Sequence, residues 1–224
     1  MKQLNEKNNF VYLFFSLIFL LFSAAVVGEI PGGYGEDLFS VITLLMLLAS
    51  IKSINYNTTW TRTVYGVIVF FVIATILVRI FPHSFYIYFV LVSLLIFFIG
   101  AFYSAVKQVL FEGDIDGNKI IGSLTLYILL GLIWAMIYIL ILLTDPQAFS
   151  GIEPGTWQEI FSRVAYYSFV TLTTLGYGDI LPTNHISEFF VYMEAIIGVF
   201  YMAIIVSSLI SLRLSAIQEE KKGK

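Results

Sequence analysis

Thr173-Thr174-Leu175-Gly176-Tyr177-Gly178-Asp179 stands between two long apolar segments, with glycines at alternate positions. Glycine enters the left-handed backbone region without the penalty that a Cβ imposes. Alternating glycines therefore allow successive peptide groups to turn their carbonyls toward one axis. Backbone oxygens held at matched distances can replace the water shell of a cation, with a threonine hydroxyl completing the innermost position. Thr174, Leu175, Gly176, Tyr177 and Gly178 meet that demand in order.

The surrounding chain is 59% hydrophobic and 12% charged, with a mean hydropathy of +0.90. That composition lies far from a soluble globular domain. With no cysteine there is neither a disulfide framework nor a thiolate metal site. A net charge of −3 excludes a nucleic-acid footprint. Six apolar runs are long enough to cross about 30 Å of hydrocarbon: Phe10–Gly28, Leu38–Ile54, Val64–Phe81, Phe85–Val106, Ile120–Leu143 and Ile186–Leu212. The first has Lys2 and Lys7 before it, like a signal peptide, but its apolar stretch is longer than most signal cores and reads as a transmembrane helix. Between the fifth and sixth runs, Asp145–His185 is too polar at its start to span yet apolar from Val164 to Leu175. This predicts a re-entrant segment, backbone at membrane depth surrounded by protein.

A cytoplasmic N-terminus places ten of the twelve lysines and arginines inside and only Arg79 and Arg163 outside. Glu29, Glu36, Asp37, Asp145, Glu153, Glu159 and Asp179 then populate the outer loops, and the glycine motif lies near the outer face. Asp114-Ile115-Asp116-Gly117-Asn118 fails as a calcium loop, because its glycine is fourth and the twelfth residue is Thr125; it reads as a turn with Asp116 or Asn118 capping the fifth helix. Gly28, Gly32, Gly33 and Gly35 make a turn rather than a phosphate loop, and Asn57-Thr58-Thr59 lies on the wrong side for glycosylation. Thr156-Trp157-Gln158-Glu159 has the form of a capping box, with Ser162 as a second possible start. Glu159 and Arg163 are four apart in the favourable order for a helical ion pair. The helix so begun ends near Thr171–Thr173, its carbonyls pointing toward the membrane centre.

The stretch Thr174–Gly178 resembles the selectivity filter of tetrameric potassium channels, normally Thr-Val-Gly-Tyr-Gly, with Leu175 in place of valine. Six spans with this loop between the last two resemble the voltage-gated-like cation channel superfamily over essentially the whole chain, and Lys119–Phe149 looks particularly like its bacterial six-transmembrane members. The resemblance implies an all-α integral membrane fold in the cell membrane, with both termini cytoplasmic, and a re-entrant pore helix and filter between helices 5 and 6. It implies potassium held by the carbonyls of Thr174, Leu175, Gly176 and Tyr177 and by the Thr174 hydroxyl. One loop cannot surround an ion, so the unit is a homotetramer, each chain meeting three further copies of itself and membrane lipid. Thr173 and Asp179 flank the filter, and Tyr166 and Tyr167 occupy the positions of the family's aromatic cuff. Some bacterial members pair the outer aspartate with a pore-helix glutamate; Val170 stands at that position here. No cofactor beyond the permeant ion, no nucleic acid and no enzyme substrate is expected, and no catalytic constellation is present. A weakly selective cation channel or the membrane subunit of a potassium transport system are the alternatives.

Residues 1–112 form the expected four-helix part, residues 113–217 the pore part and residues 218–224 a short tail. The fourth run carries no arginine or lysine, so the charges a voltage sensor needs are missing. Arg79 is expected to snorkel to the interface. Gly198 follows Gly178 by 20 residues, the spacing of the family's hinge glycine. Counted at helical spacing from it, Val199, Met202, Val206 and Ile210 share a stripe facing a cavity, whose narrowing near Ile210 or Leu214 is the candidate gate. Glu194, an acid inside a span, reads as structural or gating rather than as an ion ligand.

Overall fold

The computed structural model describes residues 9–27, 34–53, 58–81, 84–111, 117–207 and 210. Its main elements are α1 (Asn9–Val27), α2 (Tyr34–Ser53), α3 (Thr58–Ile80), α4 (Ser84–Phe111), α5 (Gly117–Thr144), α6 (Trp157–Leu172) and α7 (His185–Phe200). All but α6 are long and apolar enough to cross a membrane. Two short strands, β1 (Phe149–Ser150) and β2 (Leu181–Pro182), pair antiparallel on either side of α6.

Burial follows helical periodicity. On α1, Phe10, Leu13, Leu17, Leu20, Ala24 and Val27 are buried at alternating spacings of three and four, while Tyr12, Phe15, Phe19 and Phe22 on the other face are exposed. The buried stripe packs on α2, α5 and α6. On α5, residues from Leu126 to Ile139 are buried almost all round. A helix apolar on every face belongs at the centre, and α1, α4, α6 and α7 all contact it. The front helices therefore dock on α5 and α6 of their own chain. Where α2 meets α6 in that junction, Phe39 packs on Trp157 and Phe161, with ring centroids 5.7 and 5.1 Å away.

Several local expectations are corrected. Helix α2 begins at Tyr34, four residues before the apolar run, because Glu36 and Asp37 suit the first turn of a helix. Helix α4 continues past Val106 to Phe111. Arg79 does not simply reach for solvent; it makes a bidentate pair with Asp37, both distances 3.1 Å. Asn118, in the first turn of α5, accepts the Phe10 backbone N–H at 3.3 Å and so ties the start of α1 to that of α5. Asp116, the boundary at 112–113 and the tail lie outside the described residues.

The largest departure follows Phe200. The expected α-helix to Leu212 gives way to a π-helical turn at Tyr201–Val206. A π turn holds more residues than an α turn, so spacing counted from Gly198 does not carry past Tyr201. Val199, Met202 and Ile210 are exposed in the single chain, but the α-helical count that placed Val206 and Ile210 on their stripe does not hold. The side chains of residues 205 and 206 lie outside the described residues.

Candidate functional site

Helix α6 starts where the capping pattern predicts. The Thr156 N–H donates to Glu159 Oε2 at 2.9 Å, which employs Glu159 at the helix start rather than with Arg163. The helix ends by handing its last carbonyls to the loop that follows. Thr173 N–H donates to Phe169 O at 3.0 Å and Thr174 N–H to Thr171 O at 2.9 Å. Leu175 and Gly176 N–H both turn to Val170 O, at 2.9 and 3.4 Å. The Thr173 hydroxyl also donates to Phe169 O, at 2.6 Å.

The loop's backbone alternates in hand. Thr174, Gly176 and Gly178 have φ of 60°, 56° and 78°, while Leu175 and Tyr177 between them are not positive. Alternation of this kind gathers N–H groups on one side of a chain and leaves the carbonyls on the other. The Leu175 and Gly176 N–H groups are the ones aimed at Val170 O, near the end of α6. Among the described residues, backbone hydrogen bonds in the loop leave from its N–H groups and none arrives at the carbonyls of Thr174, Leu175, Gly176 or Tyr177. All of Thr173–Asp179 is exposed in the single chain. The two glycines were legible in the sequence; the third positive φ, at Thr174, was not. A threonine there costs about 1–2 kcal/mol, and the signal that could have found it is the spacing of two that Thr174 shares with Gly176 and Gly178.

Side chains of α6 brace the end of the loop at Tyr177 and Asp179. Tyr166 stacks on Tyr177 of its own chain, centroids 6.5 Å apart and planes at 12°. Arg163 lies 5.7 Å from the Tyr166 ring, donates to Gly151 O at 3.3 Å and reaches Asp179 at 3.9 Å. Asp179 thus meets a cation from α6 in place of the carboxyl that Val170 lacks; sequence reasoning had given Arg163 to Glu159. Tyr167 turns inward and packs on Tyr138 and Phe149 at 5.4 and 5.6 Å, so the two tyrosines have separate tasks. The strand pair and the Thr183 N–H donating to Ala148 O at 3.0 Å fasten the far end. Asn184 then caps α7 by accepting Ser187 N–H at 2.9 Å.

Gly198 is buried against the end of α6: a Cβ built there would lie 2.3 Å from Leu172 O. The inner face of α7 holds one more polar group. Glu194 has no exposed surface; the Tyr138 hydroxyl of α5 bonds its Oε2, and Ser168 Oγ of α6 lies 2.5 Å from its Oε1. The sequence marks Glu194 as an acid inside a span but carries no signal that names Tyr138 or Ser168 as its partners. Between the loop, α6 and α7 runs a mostly apolar cleft of about 270 Å³, lined by Val170, Thr174, Tyr177, Val191 and Ala195 among others.

Residues 122–213, which take in most of α5, all of α6, the loop and α7, match the ion channel family Ion_trans_2. No curated protein and no solved structure matches the chain. The family match and the six apolar helices mark a multi-pass membrane protein of the ion channel class.

Proposed function

We propose that this protein is a potassium-selective channel whose pore is built by four copies of the chain, with Thr174–Gly178 from each forming the filter and α6 serving as its pore helix. The observation that carries this reading is the alternation of backbone hand at Thr174, Gly176 and Gly178, with the carbonyls of Thr174–Tyr177 left without backbone partners among the described residues. Unpaired carbonyls at membrane depth cannot face lipid. They can face one another across an axis with dehydrated potassium between them. The exposed apolar face of α7, including Phe189, Tyr192, Ile196 and Val199, then meets neighbouring copies. Ions pass passively, down their gradient. Arg163, Tyr166, Tyr167, Thr173 and Asp179 hold the filter, Gly198 sets the approach of the inner helix, and the termini lie in the cytoplasm as the lysine distribution requires.

The test is the reversal potential of the purified protein in planar bilayers with potassium on one side and sodium on the other. It follows the potassium equilibrium potential if the reading is right. Equal permeability of the two ions would overturn it in favour of a weakly selective pore, and flux that demands ATP or a coupled ion would place the chain in a transport system.

A further inference from the structure

We infer that Glu194 is a neutral carboxylic acid whose proton completes a hydrogen-bonded chain across α5, α6 and α7, which makes it a positioning residue for the filter and not a charge on the ion path. The inference rests on reading the Thr174–Gly178 loop as that filter. Ser168 Oγ lies 2.5 Å from Glu194 Oε1 and 2.8 Å from Gly131 O, and the Tyr138 hydroxyl contacts Glu194 Oε2. Oxygens this close need a proton between them. Three contacts need three protons. Tyr138 and Ser168 supply one each, and the Gly131 carbonyl supplies none. The third belongs to Glu194. The chain then has one direction: Tyr138 donates to Oε2, Oε1–H donates to Ser168 Oγ, and Ser168 donates to Gly131 O.

The ionised alternative leaves one proton for Ser168 to share between two oxygens and a buried charge without a cation. The basic residues on the elements packed around Glu194 stand near helix ends or beyond the middle of the bundle, Lys107 on α4, Lys119 on α5, Arg163 on α6 and His185 on α7, and none occurs within 120–144, 164–172 or 186–206 or in α1. The titratable groups that interact with Glu194 are the phenols of Tyr127, Tyr138 and Tyr167. The link to the loop is short. Ser168 stands two residues before Val170, whose carbonyl receives the Leu175 and Gly176 N–H groups.

Infrared spectroscopy of the reconstituted full-length protein tests the proton directly. At pH 7 the wild type should show a protonated-carboxyl C=O band that Glu194→Gln removes and Tyr138→Phe shifts, because the phenol bonds the carbonyl oxygen. A carboxamide can donate to Ser168 and accept from Tyr138, so Glu194→Gln should keep potassium flux within about twofold of wild type. Glu194→Leu leaves the hydroxyls unpartnered and should lower flux about tenfold or more. No band sensitive to Glu194→Gln, or flux in Glu194→Gln as low as in Glu194→Leu, overturns the inference. If Glu194→Leu does not assemble, Ser168→Ala takes its place: it removes the oxygen that accepts the proton, so the band must shift, and an unchanged band overturns the inference. A band that behaves as stated in a protein that passes sodium and potassium equally supports the proton chain and instead overturns the potassium reading.

Discussion

Glycine does opposite work in the filter loop and in the helices behind it. At Gly176 and Gly178 the backbone has positive φ and a Cβ would meet nothing within 4 Å in the single chain. At Gly198 the backbone is helical, and a Cβ would strike Leu172 O at 2.3 Å. The loop lacks conformational alternatives and has space; the helix contact has ordinary conformation and no space. A side chain therefore harms the first through backbone strain and the second through collision, and the two kinds of damage appear in different measurements.

Alanine at Gly176 or Gly178 gives the largest effect. The strain lowers stability by no more than about 1–2 kcal/mol per copy, whereas the displaced carbonyls, repeated in four copies, should lower potassium flux into liposomes about a hundredfold. Retained potassium selectivity in Gly178→Ala would break the conformational half of the comparison. Gly198→Ala should show the reverse order of effects. Thermal or denaturant unfolding should report a loss of about 1–3 kcal/mol, while channels that do assemble keep their preference for potassium over sodium. Unchanged stability would mean that the α6–α7 contact opens readily, and it would return Gly198 to the role of a hinge.

A smaller effect is expected from Arg163→Gln. Its pair with Asp179 is half exposed and 3.9 Å long, and such pairs contribute about 1 kcal/mol or less. Single-channel records should show shorter openings at unchanged selectivity; a collapse of selectivity would show that the outer strut, and not the alternating backbone, defines the filter. The smallest response concerns voltage. Helix α4 has no basic residue between Ser84 and Val106, so open probability should change little between roughly −100 and +100 mV, since each charge moved is worth about 2.3 kcal/mol per 100 mV. A gating charge of several elementary units per chain would contradict this.

The parts of this molecule that were legible in the sequence are local. Helix α6 begins at Thr156 because its capping pattern lies within four residues, and the loop's glycines announce themselves at a spacing of two. Six spans follow from apolar length alone, with errors at ends such as Tyr34 and Phe111, where charged or polar residues continue a helix beyond its apolar core. What the sequence hid depends on distance in space. Arg163 had two acids within reach of its side chain, and only the fold shows that Glu159 is already engaged at Thr156. Tyr138 and Ser168 are ordinary polar residues in apolar helices until Glu194 is brought between them from 56 and 26 positions away. The π turn left no compositional trace in Tyr201–Val206, so the gate stripe counted at 3.6 residues per turn lost its register there.

That wide turn makes the chain's length at this point adjustable. An α-helix that loses one residue rotates everything beyond the deletion by about 100° and swaps its buried face for another. Between Tyr201 and Val206 the same deletion would instead close the turn to α geometry, with the Tyr201 hydroxyl, which donates to Ser123 O at 2.5 Å, still anchoring the helix above it. The turn can thus lose a single residue without disturbing the filter or the helices that hold it.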